Sequence, residues 1–343
     1  MKGNGMREAK STTDGSNQKS DRRAVVFGAS GFIGSHVVEE LCSAGHKVTA
    51  VLRSESSRSM LEYFGAQVRV LDYGNRSELR SVIEGQDVVF NCLATTAGGE
   101  KDKEPEVEFR LTRVLAETAA VLHARHFVQS SSIVLYGFER SGIIDESYRP
   151  SVSYRAQEVQ LRREEIVKEV FGDSDTGLTV LRPASVIGSR GERSFFARMY
   201  ALNQSGRFPI VGDGQATSSF IDARDLGKAM ALIAEHRIVG TYLVKGFDAS
   251  WLSIKQTMDD LVGRRTGYAA IPAHLTSAGL EEASINPYEY LTFCTTRIWD
   301  DSRLRQRGYM PLHSLEDASR EEINYLTRHM TDWVPAAGLP DLP

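Results

Sequence analysis

Gly28-Ala29-Ser30-Gly31-Phe32-Ile33-Gly34, directly behind the apolar run Ala24-Val25-Val26-Phe27, decides how the rest of the chain is read. The β-branched and aromatic run predicts a buried strand, and an apolar helical pattern starts at Phe32. Glycines at a strand-to-helix turn let the backbone approach a pyrophosphate, whose charge then sits on free N–H groups at the helix N-terminus. A glycine triplet alone is weakly diagnostic. With a strand before it and a helix after it, this one points to a dinucleotide cofactor.

Strand signals recur outward from this turn at 24–28, 47–52, 67–71, 87–93, 126–131 and 178–182, separated by helical patterns near 32–44, 54–64, 76–84, 107–123 and 152–171. The alternation predicts an α/β fold, a Rossmann-type doubly wound parallel sheet with ligands at the carboxyl ends of its strands. After Pro183 the pattern loosens into a helix at 194–205, the loop Gly212-Asp213-Gly214, the run Ser218–Ile221 and a helix from Asp225. A strand at 240–244 and helices at 253–262 and 314–330 follow. The organisation expected is a disordered leader over 1–22, a cofactor-binding Rossmann domain over 23–190, a smaller C-terminal substrate-binding lobe over 191–330 from which some chain returns to the sheet, and a tail over 331–343.

With 343 residues, 41% hydrophobic and 25% charged, the composition is that of an ordinary globular protein. A net charge of −4 gives no basic footprint for nucleic acid or an anionic membrane. No apolar stretch approaches the roughly 20 residues of a membrane helix. The polar start lacks the apolar core of a signal peptide, and a cytoplasmic location is expected. Cys42, Cys92 and Cys294 are too scattered for a disulfide framework or a zinc site and fit a reducing compartment. His123 and His126 lack accompanying ligands and read as solvated surface histidines, so no metal is expected.

Arg53 ends the second strand, 19 residues beyond Gly34. An acidic residue near this place would bind a ribose 2′-hydroxyl, whereas a cation accommodates a 2′-phosphate, so Arg53, helped by Arg58, favours NADP over NAD. Asp72 follows the third strand, where it either accepts a hydrogen bond from the adenine amine or caps the next helix. The polar run Ser130-Ser131-Ser132 at a strand's carboxyl end lies where ligands sit in this architecture, and Ile133-Val134-Leu135-Tyr136-Gly137 follows it. Phe195, Phe196, Met199 and Tyr200 form an apolar helical face that reads as core in preference to pocket lining.

Taken together, these stretches resemble the extended short-chain dehydrogenase/reductase family, especially its branch of sugar-nucleotide epimerases and dehydratases, hydroxysteroid dehydrogenases and dihydroflavonol-type reductases. The resemblance spans about residues 23–330. It rests on Gly28–Gly34, Asp72, Ser130–Gly137, Tyr154, Leu181-Arg182-Pro183 with Val186 and Gly188, Gly212-Asp213-Gly214, Phe220-Ile221-Asp222 with Asp225-Leu226, and Gly308-Tyr309-Met310-Pro311. It implies a cofactor set of Gly28, Ser30, Gly31, Phe32, Ile33, Gly34, Arg53, Asp72, Tyr73, Leu93, Ala94, Ser130, Tyr154, Pro183 and Val186. It further implies a homodimer through the helices near 107–123 and 152–171. The region 265–297, with Tyr268, Pro272, Pro287, Tyr288 and Tyr290, lies where family members recognise substrates and matches no specificity pattern.

The family performs hydride chemistry with a serine, a tyrosine and a lysine four residues after the tyrosine, often joined by an asparagine. Ser132 resembles the serine that holds the substrate oxygen and Tyr154 the general acid/base. The lysine position holds Glu158, and the asparagine position aligns with Glu108. A phenol ionises near pH 10, so a neighbouring cation assists its deprotonation and an ionised Glu158 opposes it. Arg155 points to another helix face and Arg162 lies roughly 12 Å along the axis, so neither substitutes. Proton donation during reduction suffers least from this exchange. Glu158 can also accept hydrogen bonds from the ribose hydroxyls that the lysine otherwise meets.

The expectation is therefore an NADP-dependent reductase or dehydrogenase acting on a ketone or alcohol of a small secondary-metabolite-like or sugar-derived substrate. Ser132, Tyr154 and Glu158 form its catalytic set. The alternatives are a non-redox cyclase, isomerase or dehydratase using Tyr154 and Glu158, and a catalytically silent NADP-binding protein.

Overall fold

The computed structural model describes residues 22–94, 105–149, 152–282 and 286–329. In chain order, β1 (Arg23–Phe27), α1 (Phe32–Ser43), β2 (Lys47–Leu52), α2 (Arg58–Tyr63), β3 (Gln67–Val70), α3 (Arg76–Ile83) and β4 (Val88–Asn91) alternate strictly. Then come α4 (Pro105–Val121), β5 (His126–Ser130), a 3-10 turn (Ile133–Leu135), β6 (Gly142–Ile144), α5 (Arg155–Phe171), β7 (Gly177–Pro183) and β8 (Ser185–Ile187). The remainder comprises α6 (Phe195–Gln204), β9 (Pro209–Val211), β10 (Thr217–Asp222), α7 (Ala223–His236), β11 (Gly240–Val244), β12 (Phe247–Ser250) and α8 (Trp251–Val262). After these come β13 (Ala269–Ile271), α9 (Ser277–Glu282), α10 (Pro287–Cys294), β14 (Arg297–Trp299), α11 (Ser302–Arg305) and α12 (Leu315–His329).

Seven strands form one sheet in the order β11-β7-β5-β4-β1-β2-β3, every pair parallel. This is the doubly wound Rossmann-type arrangement. Strand order reverses beside β1, which opens a crevice at its carboxyl end. The continuous apolar run of β1 has a simple cause: Ala24, Val25, Val26 and Phe27 are all fully buried, because helices cover both faces. Ala24 and Val26 join the layer that holds Val37 of α1 and Met230 of α7, whereas Val25 and Phe27 join the layer of Leu79, Leu115 and Val167. A Cβ on Gly227 would stand 2.8 Å from the His36 carbonyl oxygen, so glycine there permits the close crossing of α1 and α7.

A second sheet runs β12-β10-β14-β6, with β8 also on β10, and a separate pair joins β13 to β9. Its own core contains Phe196, Met199, Tyr200, Phe220, Trp251 and Phe293, so the apolar face of α6 is core, as its spacing suggested. His126 departs from its reading as a surface residue. It lies buried in β5 with Nε2 2.7 Å from the Thr179 hydroxyl, and burial pushes its pKa down to about 4. His123 is exposed. No described helix is long and apolar enough to cross a membrane.

Candidate active site

The carboxyl ends of the parallel strands converge on the glycine turn. Gly28 has φ +77°, and a Cβ there would lie 2.7 Å from the Cys92 carbonyl oxygen beyond β4. A Cβ on Gly34 would lie 2.1 Å from the Gly28 carbonyl oxygen, so α1 can pack this tightly only on glycine. Gly31, the N-cap, offers no side-chain cap, and the first turn of α1 carries no acidic residue. Its N–H groups and the positive end of the helix dipole therefore face an exposed turn at Ser30 and Gly31, with Phe32 and Ile33 half-buried behind. An uncapped helix N-terminus behind glycines that tolerate no side chain fits a bound pyrophosphate.

The predicted cofactor residues continue along the same edge. Arg53 is exposed just past β2, and among the described residues no carboxylate pairs with it. Arg58 does not serve as its helper, because its guanidinium is bound by Glu55 and Glu62. Asp72 is exposed and accepts the Gly74 N–H at 2.8 Å, while the cap of α3 is Asn75. Tyr73 is buried and donates to the Val51 carbonyl at 3.2 Å. Burial pushes its pKa up to about 12, so this ring is floor beneath the glycine turn. Leu93 and Ala94 follow β4, Ser130 ends β5, and Pro183 ends β7 with Val186 in β8. Register brings Asn91 opposite Gln129 and Ser130 opposite Leu181, which keeps these ends in one row.

The Ser132 Oγ accepts the Val134 N–H at 3.1 Å and caps the 3-10 turn. Tyr154 is the N-cap of α5. Its own N–H and that of Ser153 donate to Gln157 Oε1 at 3.1 and 2.8 Å, and Gln157 Nε2 reaches the Tyr136 carbonyl at 3.5 Å. This ties the tyrosine to the segment after Ser132. Tyr154 and Glu158 line a common cavity of about 430 Å³ together with Glu106, Phe109 and Arg155, so Arg155 does not turn to another face as its position predicted; Ser132 does not line it. The Tyr154 ring meets that of Tyr288 edge to face at 4.9 Å.

Of the charged residues that follow Glu158 on α5, Arg163 and Glu164 turn inward. Arg163 is buried, paired with buried Glu108 at 3.1 Å, and donates to the Leu93 carbonyl. The asparagine position is therefore occupied by half of an internal ion pair. Glu164 is buried and takes a two-pronged bond from Arg182 at 2.8 and 2.7 Å plus the Ser131 hydroxyl at 2.7 Å. Burial alone would raise its pKa, but Arg182, Lys168 and Ser131 together hold it below the usual carboxylate range. A signal was present: Glu164 falls seven residues from both Gln157 and Phe171, on the buried stripe of α5.

A family model described as the NAD dependent epimerase/dehydratase family matches residues 24–244. The chain belongs to that family. This family member is thus an enzyme of the epimerase/dehydratase oxidoreductase type. Among characterised relatives, a 4-hydroxy-2-methyl-3-oxo-4-farnesyl-3,4-dihydroquinoline-1-oxide ketoreductase of Stigmatella aurantiaca is 27% identical over 62% of the chain and 64% of its own length. A chloroplastic divinyl chlorophyllide a 8-vinyl-reductase of Arabidopsis thaliana is 24% identical over 74% of the chain and 61% of its own. Both matches span just under two thirds of those proteins. The crystal structure of UDP-glucuronic acid 4-epimerase from Bacillus cereus in complex with NAD and a fluorinated UDP-glucuronic acid superposes with a TM-score of 0.75. It is 23% identical, covering 90% of this chain and 99% of that one, a likeness of fold.

Proposed function

We propose that this family member is an NADP-dependent reductase acting on a ketone of a small secondary-metabolite-like or sugar-derived molecule, with residues 191–330 forming most of the substrate-binding lobe. The observation that carries the reading is Tyr154 at the mouth of α5, sharing a cavity with the carboxylate of Glu158. A phenol is a group that can give a proton to a developing alkoxide. The names of the relatives from Stigmatella aurantiaca and Arabidopsis thaliana, both reductases, agree with that direction.

The α1 N-terminus and the glycines at 28, 31 and 34 suit the pyrophosphate, Arg53 the 2′-phosphate, and Asp72 the adenine amine, with Leu93, Ala94, Ser130, Pro183 and Val186 along the dinucleotide. The nicotinamide of such a cofactor supplies the hydride. Tyr154 passes its hydroxyl proton to the substrate oxygen as the carbon is reduced, and Ser132, which lies outside the lining of the Tyr154 cavity, is the hydroxyl assigned to hold that oxygen. Glu158 accepts from ribose hydroxyls, as an exposed carboxylate at the cavity wall can. Assembly as a homodimer through α4 and α5 fits the exposed Val107 and Val121 of α4.

The test is consumption of NADPH across a panel of ketones, with Tyr154→Phe beside the unaltered protein. Turnover is expected to vanish in Y154F while NADPH affinity is retained; full turnover in Y154F removes Tyr154 from the mechanism. A second, non-redox reading is favoured by Glu106 and Glu158 flanking Tyr154 in one cavity. It is distinguished by substrate conversion without change in NADPH absorbance, either net or transient.

A further inference from the structure

Three arginines are buried among the described residues: Arg163, Arg182 and Arg297. Arg163 faces Glu108 at 3.1 Å and Arg182 faces Glu164 at 2.7 Å. Among the described residues Arg297 forms no salt bridge, and the carboxylate acting on it is that of Glu139, behind the guanidinium. At 6% exposure it has only long bonds, 3.4 Å each, from Nη1 to the carbonyls of Tyr136 and Gly137, and its Nε has no partner. What surrounds it is aromatic. Its guanidinium carbon stands 3.9 Å from the centre of the Phe138 ring and 5.5 Å from that of Trp299.

Burying a cation without a salt-bridged partner costs stability, and an apolar side chain of similar volume would avoid that cost. The cation's position gives it a use. The Phe138 ring beneath the guanidinium meets Tyr288 edge to face at 5.2 Å, and Tyr288 meets Tyr154 in the same way at 4.9 Å. The carbonyl of Tyr136 that receives Arg297 also receives Gln157, the residue that fixes the backbone of Tyr154.

We propose that Arg297, acting through Tyr288, supplies from behind Tyr154 the positive charge that Glu158 does not supply beside it. Tyr288 and Arg297 are positioning residues. When the Tyr154 O–H bond breaks and its proton goes to the substrate oxygen, the phenolate left behind faces a phenol backed by a guanidinium, until solvent returns the proton. This rests on the reading of Tyr154 as the acid.

The groups facing Tyr288 are Arg297 from β14 and Tyr154 from α5. Behind the guanidinium lie Glu139 and Cys294, and Glu289, next to Tyr288 on α10, is paired with Arg198. Burial raises the pKa of Tyr288, Arg297 lowers it and Tyr154 raises it, so the three are electrically coupled.

The experiment is a pH titration of the full chain labelled at tyrosine Cζ, followed by NMR, with Tyr288 assigned through Y288F. In R297M the ionisation of Tyr288 is expected to move up by about one pH unit, a tenfold change, or beyond the alkaline limit of the fold. In Y154F it is expected to move down. R297K, which keeps the charge, is expected to hold Tyr288 closer to the unaltered protein than R297M does. For the ketone that the panel shows to be reduced fastest, kcat in R297M is expected to fall about tenfold with NADPH affinity retained.

A Tyr288 titration indifferent to R297M, or equal shifts in R297M and R297K, overturns the proposal. Should R297M not fold, R297Q, which can keep the carbonyl bonds without the charge, carries the same comparison. The titration needs no turnover, so its failure is distinct from full activity in Y154F, which defeats the reading of Tyr154 instead.

Discussion

Arg53 and Gly34 show how much one residue can say. A Cβ at Gly34 would collide with the Gly28 carbonyl whatever ligand is bound, so that glycine is required by the packing of the turn. Arg53 is different: it is exposed just past the end of β2 and pairs with no described carboxylate. Arg53→Asp is therefore expected to weaken NADPH binding by at least about tenfold, roughly 1.4 kcal/mol, and to improve NADH binding, with little change in thermal stability. Titration calorimetry with both cofactors decides it; unchanged affinities would falsify the assignment of Arg53 to the 2′-phosphate. The close packing at Gly28 and Gly34 was legible in the sequence because the strand-turn-helix spacing gives it meaning. Arg297 was not, since an arginine's role turns on whether a carboxylate lies beside it in space.

Among the elements, α12 carries a buried charge whose effect can be measured. Its Glu322 is fully buried, accepts the Gly188 N–H at 2.8 Å and receives the Ser194 hydroxyl, joining this last described helix to the start of α6. Burial pushes its pKa up from 4.5 to about 8. The folded protein therefore holds a proton that the unfolded chain releases across that interval, and stability falls as pH rises from about 4.5 to about 8. Glu322→Gln, which keeps a neutral amide in place, is expected to lose less in Tm than the unaltered protein between pH 5 and pH 8, followed by circular dichroism. Parallel melting curves for the two proteins would show that Glu322 does not titrate in this range. Glu164 has the opposite sign. Its pKa is held low, so the stability it contributes is present at neutral pH and is lost as pH falls through that depressed value. The positions of the helices themselves were legible. That Glu322 and Glu164 face inward was not, because half-buried Glu321 and exposed Glu165 are their neighbours in sequence.

For the whole molecule, the cofactor cleft at the carboxyl ends of the seven-stranded sheet couples ligand binding to global stability. At about one hundred times its Kd, a ligand that binds only the folded state adds about 2.7 kcal/mol. NADP+ is expected to raise Tm by several degrees, and NAD+ at the same concentration by less. Equal shifts in a thermal denaturation assay would count against NADP preference. The seven-stranded sheet could be read in advance because each βα unit is built from neighbouring residues, with apolar runs long enough to register. The second sheet has no such local signal, because its strands are short and its pairings distant. Gly142–Ile144 lies parallel to Arg297–Trp299, and Ser185–Ile187 lies beside Phe220–Asp222. Three-residue strands give no periodicity of their own.

The sequence by itself determined the sheet and the glycine turn, because these depend on local pattern and on residue identity at fixed spacing, and its resemblance to a family marked Glu158 as a departure. The tertiary structure alone decided which charges are internal: Glu108 against Arg163, Glu164 against Arg182, and Arg297 against aromatic rings leading to Tyr154. Those pairings join segments far apart in the chain, and an ionised side chain in low dielectric takes its properties from what the fold sets beside it.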